Sequence, residues 1–393
     1  MVSATQIFDC DNHYYEAQDA FTRHVPPAMQ GRCVQWAEIG GRARHLVAGR
    51  VDHSVGNPFF DPIARPGVLH DYYRGNPRGL PAAELMRGDL EPLSASYVDP
   101  AARLSAIDDQ GVDSIWLFPT LGVLYEEPLK QDPEAVCALF EGFNRWLYDD
   151  WGFVYADRLF AAPYLSLADV DWACRELDWV LSRGARLIVM RPAATWTRDG
   201  PTSPFVPCFD PFWARVAEAK IPVAIHTGNS GYSANGYAGE GFGRASIGAS
   251  RRPSVRNLDL ARAAFDWLFT ALCEGLFERF PGLRVVSVEN GAGFLPELFR
   301  NLRNARDRNP WHFAEDPADT FREHVFVSPF WEDDLAEVLE LMGSHRVVFG
   351  SDWPHMEGLP EPLAVMTEAG RLDADVRRRF LHDNTHELTR SRA

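Results

Sequence analysis

The sequence is short of signal-peptide features, long apolar runs, paired cysteines and basic tracts, and each shortage sets an expectation about function. Met1 to Asp9 have neither the basic region nor the long apolar core of a signal peptide. No apolar run approaches the ~20 residues a helix needs to cross a bilayer. The six cysteines (Cys10, Cys33, Cys137, Cys174, Cys208, Cys273) are scattered without a Cys-x-x-Cys pair, which argues against disulfides and a cysteine zinc cluster. Arg and Lys number 39 against 55 Asp and Glu, a net charge of −16, and no Lys/Arg run interrupts it. Nucleic acid and anionic membrane are therefore excluded as partners. The expectation is a soluble cytoplasmic protein. No repeat or low-complexity segment is visible, and the first β-to-α connection has no Gly-x-Gly-x-x-Gly, so a doubly wound open sheet is the weaker α/β reading.

What is present suits a large core. The chain has 393 residues, 46% hydrophobic and 24% charged, enough for one large domain or two. Strand-like and helix-like stretches alternate from residue 99 onward. Asp99-Pro100, Asp132-Pro133 and Asp210-Pro211 read as N-caps with proline at the first helical position, and Ser166 with Asp169 as a capping box. Apolar strands are expected at residues 6–13, 114–119, 158–163, 186–190, 222–228, 283–291, 325–328 and 346–350. Helices are expected between them, among them 258–280 and 332–342. Eight strands in this order predict a (β/α)8 TIM barrel, a single domain over 1–393. Residues 14–98 have poor periodicity and frequent Pro and Gly, and read as a cap or lid inserted after the first strand. Cys33–Trp36 and His45–Ala48 are a candidate hairpin within it.

Polar residues gather at four predicted strand exits: Asp11 and His13 on the first, His226 on the fifth, Glu289 on the sixth and Asp352 on the eighth. In a parallel α/β sheet that end holds the chemistry, and imidazole with carboxylate suits Zn, Fe or Mn. Singly, each residue has a structural reading. Asp352 is a turn former or N-cap, His226 a hydrogen-bonded core histidine, Glu289 a partner for an arginine, and His13 an aromatic packing residue. Four exits in one eightfold pattern favour the metal.

The order Asp-x-His, then His, then Gly-Ser-Asp-Trp-Pro-His resembles the amidohydrolase-2 branch of the amidohydrolase superfamily. Those proteins are metal-dependent TIM barrels, among them hydrolases and nonoxidative decarboxylases of carboxylated aromatics. The resemblance implies Asp11, His13, His226 and Asp352 as ligands. Decarboxylases of that branch carry a catalytic histidine at the end of strand six, where this chain has Glu289 in Val288-Glu289-Asn290-Gly291. With His355, the candidate donors suffice for two metals. The Asp-Asn-His-Tyr-Tyr-Glu start, the Glu-Asn-Gly turn and the Ser-Asp-Trp-Pro-His end resemble a group of TIM-barrel nonheme diiron monooxygenases that includes the platensimycin/platencin diterpenoid hydroxylase. That likeness implies two Fe per chain on Asp11, His13, His226, Glu289, Asp352 and His355, with Glu289 and His355 catalytic. It also implies dioxygen, an unknown electron donor and hydroxylation of a hydrophobic, terpenoid-like acid, CoA-linked in many of the group. The glutamate-for-histidine exchange sets this as the expected function. The alternative is a Zn or Mn hydrolase or nonoxidative decarboxylase of a carboxylated small molecule. A degenerate barrel serving as a scaffold is the non-enzymatic reading.

Arg244, Arg251, Arg252 and Arg256 follow His226 in a Gly/Ser-rich loop and could receive the phosphates of a CoA thioester, or simply be solvated. Glu16 reads as a turn cap rather than a ligand, and His386 as structural. Phe59-Phe60 and Tyr72-Tyr73 suit an apolar substrate pocket or a homodimer interface.

Overall fold

In the computed structural model, residues 6–53, 55–232, 238–242, 255 and 259–390 are described. β1 (Phe8–Tyr14), β2 (Ser114–Pro119) and β3 (Leu159–Ala161) pair in parallel in that order. β4 (Ile188–Met190), β5 (Pro222–His226), β6 (Arg284–Val288) and β7 (Val325–Val327) form a second parallel set. All seven are almost wholly buried, and all but β1, which carries Asp9, Asp11, Asn12 and His13, are largely apolar, as strands covered on both faces must be. Single parallel bridges then join one set to the next: Tyr164 to Val189, Val327 to Val347, and Asn12 to Trp353.

The eighth expected strand therefore departs from the reading of eight equivalent strands. Its backbone groups are divided among three neighbours instead of forming a ladder. Val348 N bonds Val327 O at 3.0 Å, Cys10 N bonds Phe349 O at 2.8 Å, and Phe349 N turns away to Phe380 O at 3.1 Å. The arrangement is parallel α/β, with helices over the strand faces.

Helix starts follow two of the three Asp-Pro signals; at the third, Asp210 is the first residue of Asp210–Ala219 rather than its cap. The Asp99 side chain caps Pro100–Asp109, and Asp132 caps Pro133–Asp150. The capping box does not form. Asp169 itself caps Val170–Ser182, while the Ser166 hydroxyl donates to Glu126 Oε1 at 2.7 Å. Two boundaries also move. The helix expected at 258–280 breaks into Asp259–Cys273 and Leu276–Arg279 at Gly275, and the helix expected at 332–342 starts only at Leu335, capped by Asp334. Among the described residues no helix is long and apolar enough to cross a membrane.

Within 14–98, Val34–Ile39 and Arg42–Val47 pair antiparallel as the hairpin reading expects, and Arg50–Val51 adds a third strand. This segment reaches the strand exits. Gly67 N bonds His355 O at 3.1 Å and Leu69 N bonds Met356 O at 2.8 Å. Phe60 packs on Tyr15 with ring centroids 4.5 Å apart, and Tyr97 on Trp353 at 5.3 Å.

Candidate metal centre

The register of β1 against β2 slips between Asp9 and Asn12, a bulge that re-aims the end of the strand. Two buried polar groups hold it. Asp9 accepts from Asp11 N (3.1 Å) and Ser351 N (2.9 Å) on Oδ1, and from Asn12 Nδ2 (2.9 Å) and Ser351 Oγ (2.5 Å) on Oδ2. One carboxylate thus ties β1 to the segment that carries Asp352. Burial lifts the Asp9 acid to about 7, even though its bonds to Ser351 act in the opposite sense. Arg103, fully buried, donates to Asn12 Oδ1, to His13 O at 2.6 Å and to Ser96 O at 2.6 Å. Gly350 is required where the eighth segment crosses Asp11, because a Cβ there would collide with the Asp11 side chain.

Glu289 and Asp352 leave their segments with φ of 54° and 57°, in the left-handed region that non-glycine residues seldom adopt. Strained backbone of this kind clusters at functional sites, where it aims a side chain that regular strand geometry would send elsewhere.

The side chains converge. His13 Nε2 lies 3.4 Å from Asp11 Oδ1, 3.3 Å from Glu289 Oε2 and 3.4 Å from Asp352 Oδ1. His226 Nε2 lies 3.4 Å from Asp11 Oδ1 and 3.3 Å from Glu289 Oε2. Donor atoms bound ~2.1 Å from one ion at tetrahedral angles sit about 3.4 Å from each other. Asp11, His13, His226 and Glu289 have that spacing, and His13, Glu289, Asp352 and His355 make a second, overlapping set. Asp11 Oδ1, His13 Nε2, His226 Nε2, Glu289 Oε2, Asp352 Oδ1 and His355 Nδ1 are all buried without a hydrogen bond. Six orphaned donors aimed at one point are costly unless something fills it, so the residues fit a divalent cation.

Neighbours set the tautomers. His226 Nδ1 donates to Thr227 O at 2.7 Å, which leaves Nε2 bare toward the centre. The Thr120 hydroxyl donates to Tyr14 O at 2.8 Å and so accepts from His355 Nε2 at 3.0 Å. His355 Nδ1 is then the bare atom, 2.7 Å from Asp352 Oδ1. Phe118 floors the site, 4.6 Å from the His226 ring.

Crowded carboxylates dominate the electrostatics. Burial alone would push His13 down, but Asp11 and Glu289 beside it raise it to about 9. Burial tends to raise Asp11, and bonds from His13 and His226 bring it below the usual range instead. Asp352 is driven well up by burial and then by Glu289, while His355 is driven well down by burial and the neighbouring imidazoles.

All six proposed ligands are thus brought together. Glu16 is a turn cap as expected: Oε1 accepts from Leu121 N at 2.8 Å and Gly122 N at 2.9 Å. His386 stacks on His382, which packs on Phe8 at the opposite end of β1. Arg244, Arg251, Arg252 and Arg256 lie outside the described residues. Four residues near the centre escaped the sequence reading: Asp9, Arg103, Thr120 and Glu357. Asp9 had a signal, a second carboxylate two residues before Asp11 on an apolar strand. Glu357 has a buried, unpartnered Oε2, and burial followed by Glu289 raises its acid to about 7.

Comparison with known proteins corrects the expected function. An amidohydrolase from Mycobacterium avium subsp. paratuberculosis K-10 is 39% identical, covers 98% of this chain and 97% of its own, and superposes with a TM-score of 0.91. The gamma-resorcylate decarboxylase of Rhodococcus jostii (strain RHA1) is 31% identical over 213 residues, 50% of this chain. The match spans 61% of that enzyme's length. A dihydroxybenzoic acid decarboxylase from Polaromonas sp. JS666, solved with manganese and 2-nitroresorcinol, has a TM-score of 0.57 at 16% identity, covering 83% of this chain and 94% of its own. The chemistry named among these relatives is decarboxylation, not oxygenation. The diiron monooxygenase reading is overturned, and with it the argument that a glutamate in place of the strand-six histidine signals dioxygen chemistry. The Amidohydro_2 profile matches residues 9–390, so the chain belongs to this amidohydrolase family, whose fold is of the TIM-barrel α/β type.

Proposed function

We propose that this protein is a metal-dependent enzyme that removes carbon dioxide, without oxidation, from a carboxylated aromatic acid. The observation that carries the reading is the set of orphaned donors on Asp11, His13, His226 and Glu289, spaced 3.3–3.4 Å apart and buried at the strand exits. Decarboxylases among the relatives, one solved with manganese, support the reaction type and favour Mn over Zn. The three bridges between the parallel sets support a closed (β/α)8 barrel, with residues 14–98 as a cap on one catalytic domain.

Asp11, His13, His226 and Glu289 would hold the cation, which when bound supplies Lewis acidity toward substrate oxygens. Asp352 and His355 then serve the proton. Asp352 Oδ1 and the bare His355 Nδ1 are 2.7 Å apart, close enough for a proton placed on one to pass to the other. Thr120 keeps His355 in the tautomer that leaves Nδ1 open to it. Decarboxylation needs such a proton at the carbon that loses the carboxylate, and this pair stands beside the cation site to give it.

The test is to load purified protein with Mn(II) and supply the monocarboxylate 2,6-dihydroxybenzoate. About one ion per chain, carbon dioxide release and deuterium incorporation from D₂O at the vacated ring carbon are expected. Ion binding without carbon dioxide from any carboxylated aromatic would sink the reading.

Glu289→Gln separates decarboxylation from a hydrolytic second reading, in which Glu289 is a general base for water. As a ligand, its loss weakens Mn(II) affinity by roughly 10–100-fold, read by equilibrium dialysis. As a base, its loss leaves the ion in place.

A further inference from the structure

The loop after Asp352 folds back over the candidate centre and is held from several sides. His355 N bonds Asp352 O at 2.8 Å and Leu359 N bonds Ser351 O at 2.9 Å, while Gly67 and Leu69 bond it from the inserted segment. Gly358 presses so closely on the Asp352 carbonyl that no side chain would fit. Between these anchors stands Glu357. Its Oε2 is buried and has no partner among the described residues. Its loop starts from Asp352 and His355, two of the candidate ligands, and Gly67 and Leu69 close it from the inserted segment. The proton pair and the four cation ligands leave it without a task.

A buried carboxylate oxygen with no donor costs free energy that a donor arriving with a ligand would recover. It also repels any second anion brought to the same place. We propose that Glu357 is a substrate subsite. It accepts a hydrogen bond from a hydroxyl or protonated amine of the substrate, on the side away from the carboxylate held at the cation, and excludes dicarboxylates. This rests on the reading of the centre as a site for carboxylated aromatics. It goes further by requiring a donor on the acid and by naming the residue that selects it.

Calorimetric titration of the Mn(II)-loaded protein tests it, using benzoate, 3-hydroxybenzoate, 4-hydroxybenzoate and isophthalate. In the unmodified protein one hydroxybenzoate is expected to bind about tenfold or more tighter than benzoate, and isophthalate weaker than benzoate. Glu357→Met removes the acceptor and should bring the hydroxyl advantage close to one, with Mn(II) content unchanged. Glu357→Gln keeps the acceptor oxygen without the charge. It should restore isophthalate to the level of benzoate while retaining part of the hydroxyl advantage, a pattern that misfolding would not produce. A hydroxyl advantage absent from the unmodified protein, or undiminished in Glu357→Met, overturns the subsite. Carbon dioxide release is scored separately. If it fails while the binding pattern holds, the decarboxylase reading falls and the subsite stands.

Discussion

His13→Ala protein is expected to bind Mn(II) at least ~100-fold more weakly than the unmodified chain and to lose its metal-dependent activity. His13 belongs, with Glu289, to both overlapping donor sets. Its Nε2 is within 3.4 Å of Asp11, Glu289 and Asp352, so no rearrangement of the remaining five donors replaces it at the midpoint. The backbone contacts of position 13 do not involve the ring: His13 N bonds Trp353 O at 2.8 Å, and Arg103 bonds His13 O at 2.6 Å. The fold should therefore persist while the site fails. His386→Ala, at the other end of the strands, should leave affinity unchanged. The pH dependence follows from the same residue. Below about 9 the His13 imidazole holds a proton that the cation must displace. Affinity should then rise by about tenfold per pH unit for this proton and flatten above about 9. Asp11, already below the usual carboxylate range, contributes no such slope near neutrality. In His13→Ala the slope should fall by one proton. Equilibrium dialysis across pH 6 to 10 reads both effects, and a flat profile in the unmodified protein would refute this assignment of the proton.

The strand exits were legible because their signal is local. His226, Glu289 and Asp352 each follow an apolar run, and a run buried on both faces reveals its exit where the first ionisable side chain appears; on the first strand Asp9 already interrupts the run before Asp11. Two-residue spacing would put Asp11 and His13 on one side of a regular strand, but β1 carries a bulge between Asp9 and Asn12, and Asp9 and Arg103 hold it in place. Contacts made by distant chain were not legible. Thr120 follows Pro119 as an unremarkable loop residue and acquires meaning only when the His355 ring arrives beside it. Glu357 is aimed by pairing of its loop with Gly67 and Leu69, inside the segment with the poorest periodicity. The eighth strand read as a simple apolar run, since nothing in Val347-Val348-Phe349 reports that the amide of Phe349 is claimed by Phe380. The functional error had a different source. Glu289 reads as a redox ligand because three carboxylates and three histidines can hold two irons, yet the same donors serve a single Lewis-acid cation, and ligand type alone does not separate them.

Arg103→Met is expected to destabilise the protein by about 3–5 kcal/mol, the largest stability effect of any single substitution discussed for this chain. The length and packing of the side chain are nearly retained, so the loss is of hydrogen bonds. Asn12 Oδ1, His13 O and Ser96 O would be left buried without their donor, at roughly 1–3 kcal/mol for each unsatisfied group before relaxation. The guanidinium also lies over the Trp353 ring at 4.7 Å, a contact worth about 2 kcal/mol when desolvated. Arg65→Ala gives the contrast. Arg65 is exposed and paired with Asp89 at 3.0 Å, and should cost no more than about 1 kcal/mol. Denaturant unfolding of the metal-free proteins measures both, and equal midpoints for the two variants would show that Arg103 is not a structural anchor. The substitution should also reach the centre. Arg103 touches no candidate ligand side chain, yet it holds the carbonyl of His13 and the side-chain amide of Asn12, the two positions that directly follow the slip in β1. Freed of it, the end of β1 can relax toward regular pairing and rotate the His13 ring away from Asp11 and Glu289. Weakened Mn(II) affinity in Arg103→Met, measured well below its unfolding midpoint, is the expected sign that the buried arginine positions the ligand as well as stabilising the strand.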